Sequence, residues 1–318
     1  MNRFLQWIAI VFLVFGLSAG VSADDQNPQK AVLVTGASSG IGLKITEHLS
    51  AHGYYVYAGA RKAADLGRLD AMDNVSSVRL DVTVQHDIDA AVEYVRAQGR
   101  GLYGVVNNAG VGAGERTSEA SIELIDWLHD VNVLGPVRIN KAFLTMLEES
   151  GGRTVTIGSI SGHAADSATN GAYAMSKFAV EAYTDSLAVD LAETGIAVGI
   201  IDPGGFKTSI FRKDALRKMT GSYDLNQDLT KEQQEELEAR TEWVNSLNEP
   251  DAVADAVMHF MTDESPRLRY MVTLLENQAD RGIRALMTRM LQLNAKQPFE
   301  LSRDELVAML DELLEKVE

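Results

Sequence analysis

The sequence predicts an α/β fold, a doubly wound parallel sheet with helices on both faces and a C-terminal helical extension. Two observations carry this. Short β-branched runs alternate with helically spaced apolar segments over about residues 29–273, with no linker between them. The first run, Ala31–Val34, breaks into Gly36, Gly40 and Gly42 before apolar residues recur at Ile41, Ile45 and Leu49, so a strand enters a helix through a glycine turn. Such a turn lets backbone approach a ligand with no Cβ in the way, and the N–H groups at the helix start favour a phosphate. The spacing is G-x-x-x-G-x-G rather than G-x-G-x-x-G, so a tight turn without a ligand is the competing reading.

The chain has 318 residues, of which 46% are hydrophobic, enough to bury a full core. A formal net charge of −16 argues against a nucleic-acid partner, which needs a basic stripe to meet phosphates. Without cysteine there is no disulfide, thiolate nucleophile or zinc–thiolate site. No metal site is expected: His48 and His52 stand four apart on the first helix, but Leu49 occupies the place of a metalloprotease glutamate and no third ligand is near.

Residues 1–23 read as a segment apart from the fold. Arg3 precedes an uncharged stretch from Phe4 to Ala23, which ends in small residues before Asp24 and Asp25. This describes a cleaved signal peptide, and the length equally suits a retained membrane anchor. Either places the body on the far side of a membrane by the positive-inside rule, where a soluble cofactor has to be available.

The second strand, Tyr54–Ala58, leads into Gly59-Ala60-Arg61-Lys62. An acid at this corner suits the ribose hydroxyls of NAD, whereas an arginine suits the extra phosphate of NADP, so Arg61 points to NADP(H); Asp65 nearby keeps NAD(H) open. A third strand, Val78–Val82, carries Asp81 and Val82, and a helix follows over Asp87–Gln98. The fourth strand, Tyr103–Val106, ends in Asn107-Asn108-Ala109-Gly110, where side-chain amides can fix a loop. A long helix within Ser121–Met146 contains Asn132, a poor helix former and therefore either a buried, satisfied amide or a specific hydrogen-bonding group. The fifth strand, Arg153–Ile157, delivers Ser159 and Ser161. The next helix, Tyr173–Ala192, sets Tyr173 and Lys177 on one face. The sixth strand, Ala197–Ile201, runs into Asp202-Pro203-Gly204-Gly205-Phe206-Lys207-Thr208.

Five motifs now stand in order: Thr35–Gly42, Asn107–Gly110, the Asn132 segment, Ser159 with Tyr173-Ala-Met-Ser-Lys177, and Pro203–Thr208. Together they resemble the short-chain dehydrogenase/reductase family, over about Lys30 to Thr273. The resemblance implies a Rossmann-type sheet with a nicotinamide cofactor at the carboxyl ends of its strands. It implies cofactor contacts at Gly36, Ser38, Ser39, Gly40, Ile41, Gly42, Arg61, Asp81, Val82, Asn108, Ala109, Gly110, Pro203, Gly204 and Thr208. Tyr173 would be the acid/base, Lys177 its tuner and a ribose contact, Ser159 the group that orients the carbonyl, and Asn132 the support of a water relay to Lys177. The spacing from Ser159 to Tyr173 is slightly long for the family and Ser161 is a substitute, but Gly158-Ser159-Ile-Ser-Gly162 aligns with the family's S-x-x-G. A phenol titrates near pH ~10, and an ammonium one turn away is expected to lower that.

Residues 209–248 leave the alternating pattern and carry a charged stretch, Lys231–Arg240, among apolar residues Phe206, Ile210, Phe211, Leu216, Met219 and Trp243. A greasy lid over the substrate or a packed helix pair both account for this. A helix over Pro250–Met261 and a last strand, Arg269–Leu274, complete the core. Residues 274–318 form the extension, with helices over Ala279–Leu293 and Ser302–Val317. Ser302 and Glu305 make a capping box, and Leu306, Leu310, Leu313 and Val317 form a stripe for packing on the domain, for a homo-oligomer or for a membrane. Residues Ser265–Val272 and this tail look like the hydroxysteroid- and retinol-dehydrogenase branch, which implies a hydrophobic ketone or secondary alcohol as substrate. A sugar-nucleotide epimerase or dehydratase shares Tyr-x-x-x-Lys but usually spaces its glycines differently. A non-catalytic dinucleotide-binding protein would have no use for the Ser159, Tyr173 and Lys177 set.

Overall fold

The computed structural model describes residues 29–222 and 227–317. The expected signal or anchor at residues 1–23 lies outside the described residues, and no described helix is long and apolar enough to cross a membrane.

Strands and helices alternate as β1 (Ala31–Val34), α1 (Gly40–Ala51), β2 (Tyr55–Ala60), α2 (Ala63–Asp70), β3 (Val75–Arg79), α3 (Gln85–Ala97) and β4 (Gly104–Asn107). Next come α4 (Ile122–His129), a π-helical turn (Asp130–Leu134), α5 (Gly135–Ser150), β5 (Arg153–Ile157), a 3₁₀ turn (Ile160–Gly162), α6 (Gly171–Asp190) and β6 (Ala197–Pro203). The chain ends with α7 (Ile210–Thr220), α8 (Lys231–Asn245), α9 (Asp251–Thr262), β7 (Arg269–Val272), α10 (Glu276–Asn294) and α11 (Arg303–Val317). The strands form one seven-stranded sheet in the order β3-β2-β1-β4-β5-β6-β7, with every pairing parallel. The doubly wound fold expected from the sequence is therefore present.

Strand alternation divides the core. Val32 and Val34 face one layer, where they meet Ile45 and Leu49 of α1 and Val257, Phe260 and Met261 of α9. Leu33 faces the other, with Ile88 and Val95 of α3 and Ile139, Phe143 and Leu147 of α5. Burial on both faces explains why the strands read as apolar runs rather than as alternating ones.

Several boundaries differ from the expected ones. β3 starts earlier and stops at Arg79, so Asp81 sits in the following turn and not in a strand. Its carboxylate accepts from the Thr83 N–H (3.0 Å) and hydroxyl (2.7 Å), a local turn that competes with the ladder. β6 continues to Pro203 and so takes in Asp202. Residues 209–248 contain the helix pair α7 and α8, the second closed by a Thr230–Gln233 capping box. Gly114 donates its N–H to Asp214 (3.1 Å) and Arg217 pairs with Glu115 (2.5 Å), which pins α7 across the loop after β4. The Ser302–Glu305 box forms as expected; of the stripe, Leu306 is half-buried while Leu310 and Leu313 are exposed.

Candidate active site

The carboxyl ends of β1, β4, β5 and β6 open on one edge of the sheet. Strand order reverses between β1 and β4, the position at which open α/β sheets bind ligands.

The glycine turn lies in this crevice. Gly36 (φ +65°) and Gly40 (φ +57°) are left-handed, and a Cβ on Gly42 would overlap the Gly36 carbonyl and the Asn108 amide. Asn108 donates to the carbonyls of Thr35 (2.9 Å) and Gly36 (3.2 Å), while the Thr35 hydroxyl accepts from the N–H groups of Asn108 and Ala109 (both 3.0 Å). The Asn107–Gly110 loop is thereby fastened to the turn. Ser39 precedes α1 without a side-chain cap, and its hydroxyl lies 3.3 Å from that of Ser209. Thr208 packs on the far side of Gly40, with its hydroxyl buried and lacking a partner among the described residues. An orphaned hydroxyl beside a helix start and a cradle that any Cβ would fill fits the diphosphate of a dinucleotide, which would supply the acceptor.

Asn132 owes its place in a helix to the π-helical turn, where the backbone ladder is interrupted. Its amide is fully used: Oδ1 accepts from the Val111 N–H (2.9 Å), and Nδ2 donates to the Val111 carbonyl and the Ser176 hydroxyl (both 3.0 Å). It clamps the loop after β4 to α6.

Ser159, Tyr173 and Lys177 come together. The Ser159 hydroxyl accepts from the Ser161 N–H (3.1 Å) and is near enough to the Tyr173 phenol to oppose the rise in its pKa. Ser161 instead faces the Asn170 amide (3.2 Å). Lys177 is buried, donates to the Ile157 carbonyl (2.9 Å), and holds Nζ 5.7 Å from the Tyr173 ring centroid. Burial pushes the Tyr173 phenol up to about 12, with Asp202 adding to the rise and Ser159 opposing it. Burial also pushes Lys177 down to about 8, against the raising effect of Asp202 and Glu181. The expected lowering of the phenol by Lys177 is not seen, because desolvation outweighs a cation that is turned toward a strand carbonyl.

At the end of β2, Arg61 lies 3.4 Å from Asp81. Burial of Asp81 is outweighed by its bonds from Thr83 and by Arg61, which hold its carboxyl below the ordinary range. Lys213 of α7 is half-buried, and its pKa is lowered by burial and then by the nearby charges of Arg61 and Lys62. Arg68 reaches back from α2 to the Ser38 carbonyl (2.5 Å). Cations thus converge on one corner of the crevice from β2, α2 and α7. Val82 is buried against Gly135.

Sequence reasoning missed Lys213, Arg68, Gln278 and the buried acids. Gln278 of α10 accepts from the Gly205 N–H (3.1 Å) and the Thr273 hydroxyl (2.8 Å), filling the space left by Gly204 behind the Pro203–Thr208 turn. Arg281 of α10 pairs with Asp166 in the loop after β5. The extension is therefore joined to the site, and no local pattern announces that. Asp202 did carry a signal, as an acid ending an apolar strand.

The family model for short chain dehydrogenases matches residues 30–218. The mitochondrial D-beta-hydroxybutyrate dehydrogenase of Bos taurus is 33% identical over 280 residues, covering 81% of each chain. Retinol dehydrogenase 7 of Mus musculus is 32% identical over 253 residues, covering 76% of this chain and 79% of that one. Among solved structures, actinorhodin polyketide ketoreductase with NADPH superposes with a TM-score of 0.62 at 29% identity, covering 77% of this chain and 95% of that one. With the sheet order, the crevice and these matches in agreement, the chain belongs to the short-chain dehydrogenase/reductase family, oxidoreductases that act between CH–OH and C=O groups.

Proposed function

We propose that the chain transfers a hydride between NADP(H) and a hydrophobic ketone or secondary alcohol, with Tyr173 as proton donor and acceptor. The observation that carries this reading is the Tyr173 ring 5.7 Å from the Nζ of a buried Lys177, with Ser159 beside the phenol, at the mouth of the glycine-turn crevice. When bound, a nicotinamide supplies or takes up the hydride. The side chains do the rest. Ser159 and Tyr173 converge on the carbonyl oxygen and hold it, and the phenol proton passes to that oxygen as the C–O bond becomes single. With its pKa pushed up to about 12, the phenol is protonated at neutral pH, the form a donor in carbonyl reduction requires. Lys177, as an ammonium, faces the cofactor ribose. Gly36, Ser38, Ser39, Gly40, Ile41, Gly42 and Thr208 take the diphosphate, and Asn108 to Gly110, Pro203 and Gly204 wall the nicotinamide end.

The choice of NADP(H) rests on Arg61, Lys62 and Lys213, whose charges repel one another and would be relieved by a 2′-phosphate. The hydrophobic substrate rests on α7, whose Ile210 covers Gly112 and whose Phe211 packs edge-on to Trp243 of α8. Retinol dehydrogenase 7, a relative named for an apolar alcohol, adds support. Consumption of NADPH with a panel of lipophilic ketones tests the assignment. Tyr173→Phe keeps the ring, so cofactor binding survives while turnover falls by roughly 10²–10⁴. Retention of more than about a tenth of the parent rate, a difference of only ~1.4 kcal/mol in barrier, removes Tyr173 from the role.

Residues 1–23 are read as an export signal or membrane anchor, on the strength of Arg3 and the uncharged run to Ala23. Mass spectrometry of the isolated chain separates the two, since a mature chain starting at Asp24 means a signal and an intact Met1 an anchor. A reporter fused after Asp25 that is active in the cytoplasm contradicts both.

A further inference from the structure

Behind Ser159 lies a group of buried ionisable side chains that hydride transfer does not call for. His163, in the turn after β5, Glu181 of α6 and Asp202 of β6 bring their ligand atoms within 4.8 Å of one another, and all three are buried. Asp202 occupies the centre. One oxygen accepts from the Ser159 N–H (2.9 Å), and the other lies 3.0 Å from His163 Nε2. Gly158 is glycine because any Cβ there would overlap the Asp202 carboxylate. On the Glu181 side, Oε2 accepts from Arg269 of β7 (3.0 Å), whose guanidinium also pairs with Asp185. Glu181 Oε1 is 3.7 Å from His163 Nε2 and is buried with no hydrogen-bond partner among the described residues.

Two carboxyls and one orphaned oxygen in a desolvated space have a simple resolution. Placing both as anions side by side is costly, and a proton on Glu181 Oε1 gives that oxygen a partner in Asp202 while leaving a single negative charge. Arg269 and the His163 imidazole supply the positive charge that a metal ion would otherwise bring. The groups facing Asp202 are then His163 from the turn, Tyr173, Lys177 and Glu181 from α6, and Arg269 from β7, with Asp185 on the outer side of Arg269.

We propose that Asp202, with Glu181 and His163, is a buried charge unit that positions Ser159 and keeps Lys177 in its ammonium form, one proton being shared between the two carboxyls. Three observations support it. Asp202 holds the backbone N–H of Ser159 at the end of β5. Asp202 is the foremost of the charges that raise Lys177 against its burial. Burial and the adjacent Asp202 raise Glu181 far above the ordinary carboxyl range, and the bond to Asp202 raises His163. Asp202 is a positioning residue, acting through Ser159 and Lys177 without meeting the reacting atoms.

The inference rests on Lys177 as a cofactor contact, so that reading is checked first: Lys177→Met weakens NADPH binding, and failure to do so counts against the function and not against this unit. The measurement is NADPH affinity of the full chain as a function of pH. In the parent, affinity falls as Lys177 loses its proton, at around pH 8. Asp202→Asn keeps the shape and removes the charge, so the alkaline fall moves down by about one pH unit, the effect of losing one adjacent opposite charge. At a pH above both falls, binding is about tenfold weaker, whereas near pH 6 it is little changed. Glu181→Gln, isosteric with the protonated acid, keeps the fall where the parent has it. A fall that stays put in Asp202→Asn, with only a lower Tm, reduces the unit to packing and overturns the proposal. A Glu181→Gln shift equal to that of Asp202→Asn overturns the shared proton. Should Asp202→Asn not fold, infrared difference spectra of the parent across this range decide the matter. They are expected to show a buried protonated carboxyl band that is missing in Glu181→Gln, and absence of the band in the parent refutes the shared proton.

Discussion

Arg61 is 65% exposed along its side chain and only 3.4 Å from Asp81, so the adjacent acid already meets part of its charge. Lys213 is the better placed of the two cations, being half-buried on α7 and repelled by Arg61 and Lys62. A charge-assisted bond to a 2′-phosphate contributes about 1.5–3 kcal/mol, equivalent to a preference of roughly ten- to hundredfold for NADPH over NADH. Lys213→Met is therefore expected to cut the ratio of kcat/KM for the two cofactors at least as far as Arg61→Asp does. Equal efficiencies with NADH and NADPH in the parent would rule out the assignment. Arg61 could be singled out in the sequence because it stands at a strand end. Lys213 could not, since α7 brings it to that corner from beyond β6, and nothing in the local pattern of a charged helix says where it docks. That Tyr173 and Lys177 share one face was legible from their spacing of one helical turn. Their pKa values were not, because desolvation depends on everything packed around them.

Elements follow the same division. β1, the glycine turn and α1 could be read from Ala31 to Leu49 because their cause is local: short buried strands, glycines at left-handed positions and a 3.6-residue period. α2 escaped because its eight residues bury only Leu69. The split of the long helix into α4, the π-helical turn and α5 escaped as well, since propensity marks Asn132 as unusual but cannot say that the backbone ladder opens there. The α10 start shows the limit most clearly. It looks like the beginning of an appendage, yet Gln278 holds the Gly205 N–H and the Thr273 hydroxyl. Gln278→Ala leaves a partly buried N–H without its acceptor, at a cost of about 1–3 kcal/mol. The expected result is a Tm lower by roughly 2–10 °C together with a raised KM for the cofactor. A change in Tm with KM untouched would mean that α10 braces the fold but not the Pro203–Thr208 turn.

Across the whole molecule, burial ends where α10 leaves the site. Gly282 is the only buried residue of α10, and its cause is contact with Met271 of β7. Beyond it, Ile283, Met287, Met290, Leu291, Leu310 and Leu313 are each between 42% and 51% exposed. α11 is held to α10 by a reciprocal pair of bonds between Asn294 and Leu301, both 2.9 Å, and not by a shared core. The two helices of the extension thus differ in what they do for the catalytic domain, although both read as amphipathic. Removing residues 303–318 exposes no core surface and touches no group of the crevice, so Tm and NADPH affinity are expected to stay at the parent values. Removing residues 276–318 takes away Gln278 and Arg281, the anchors on the Pro203–Thr208 turn and on the Asp166 loop, and should lower Tm and abolish turnover. Thermal unfolding and NADPH titration of the two truncated chains check this directly. If the shorter deletion were as damaging as the longer, α11 would be supporting the site through contacts made outside a single copy of the chain, and the exposed apolar faces of α10 and α11 would be where to look for them.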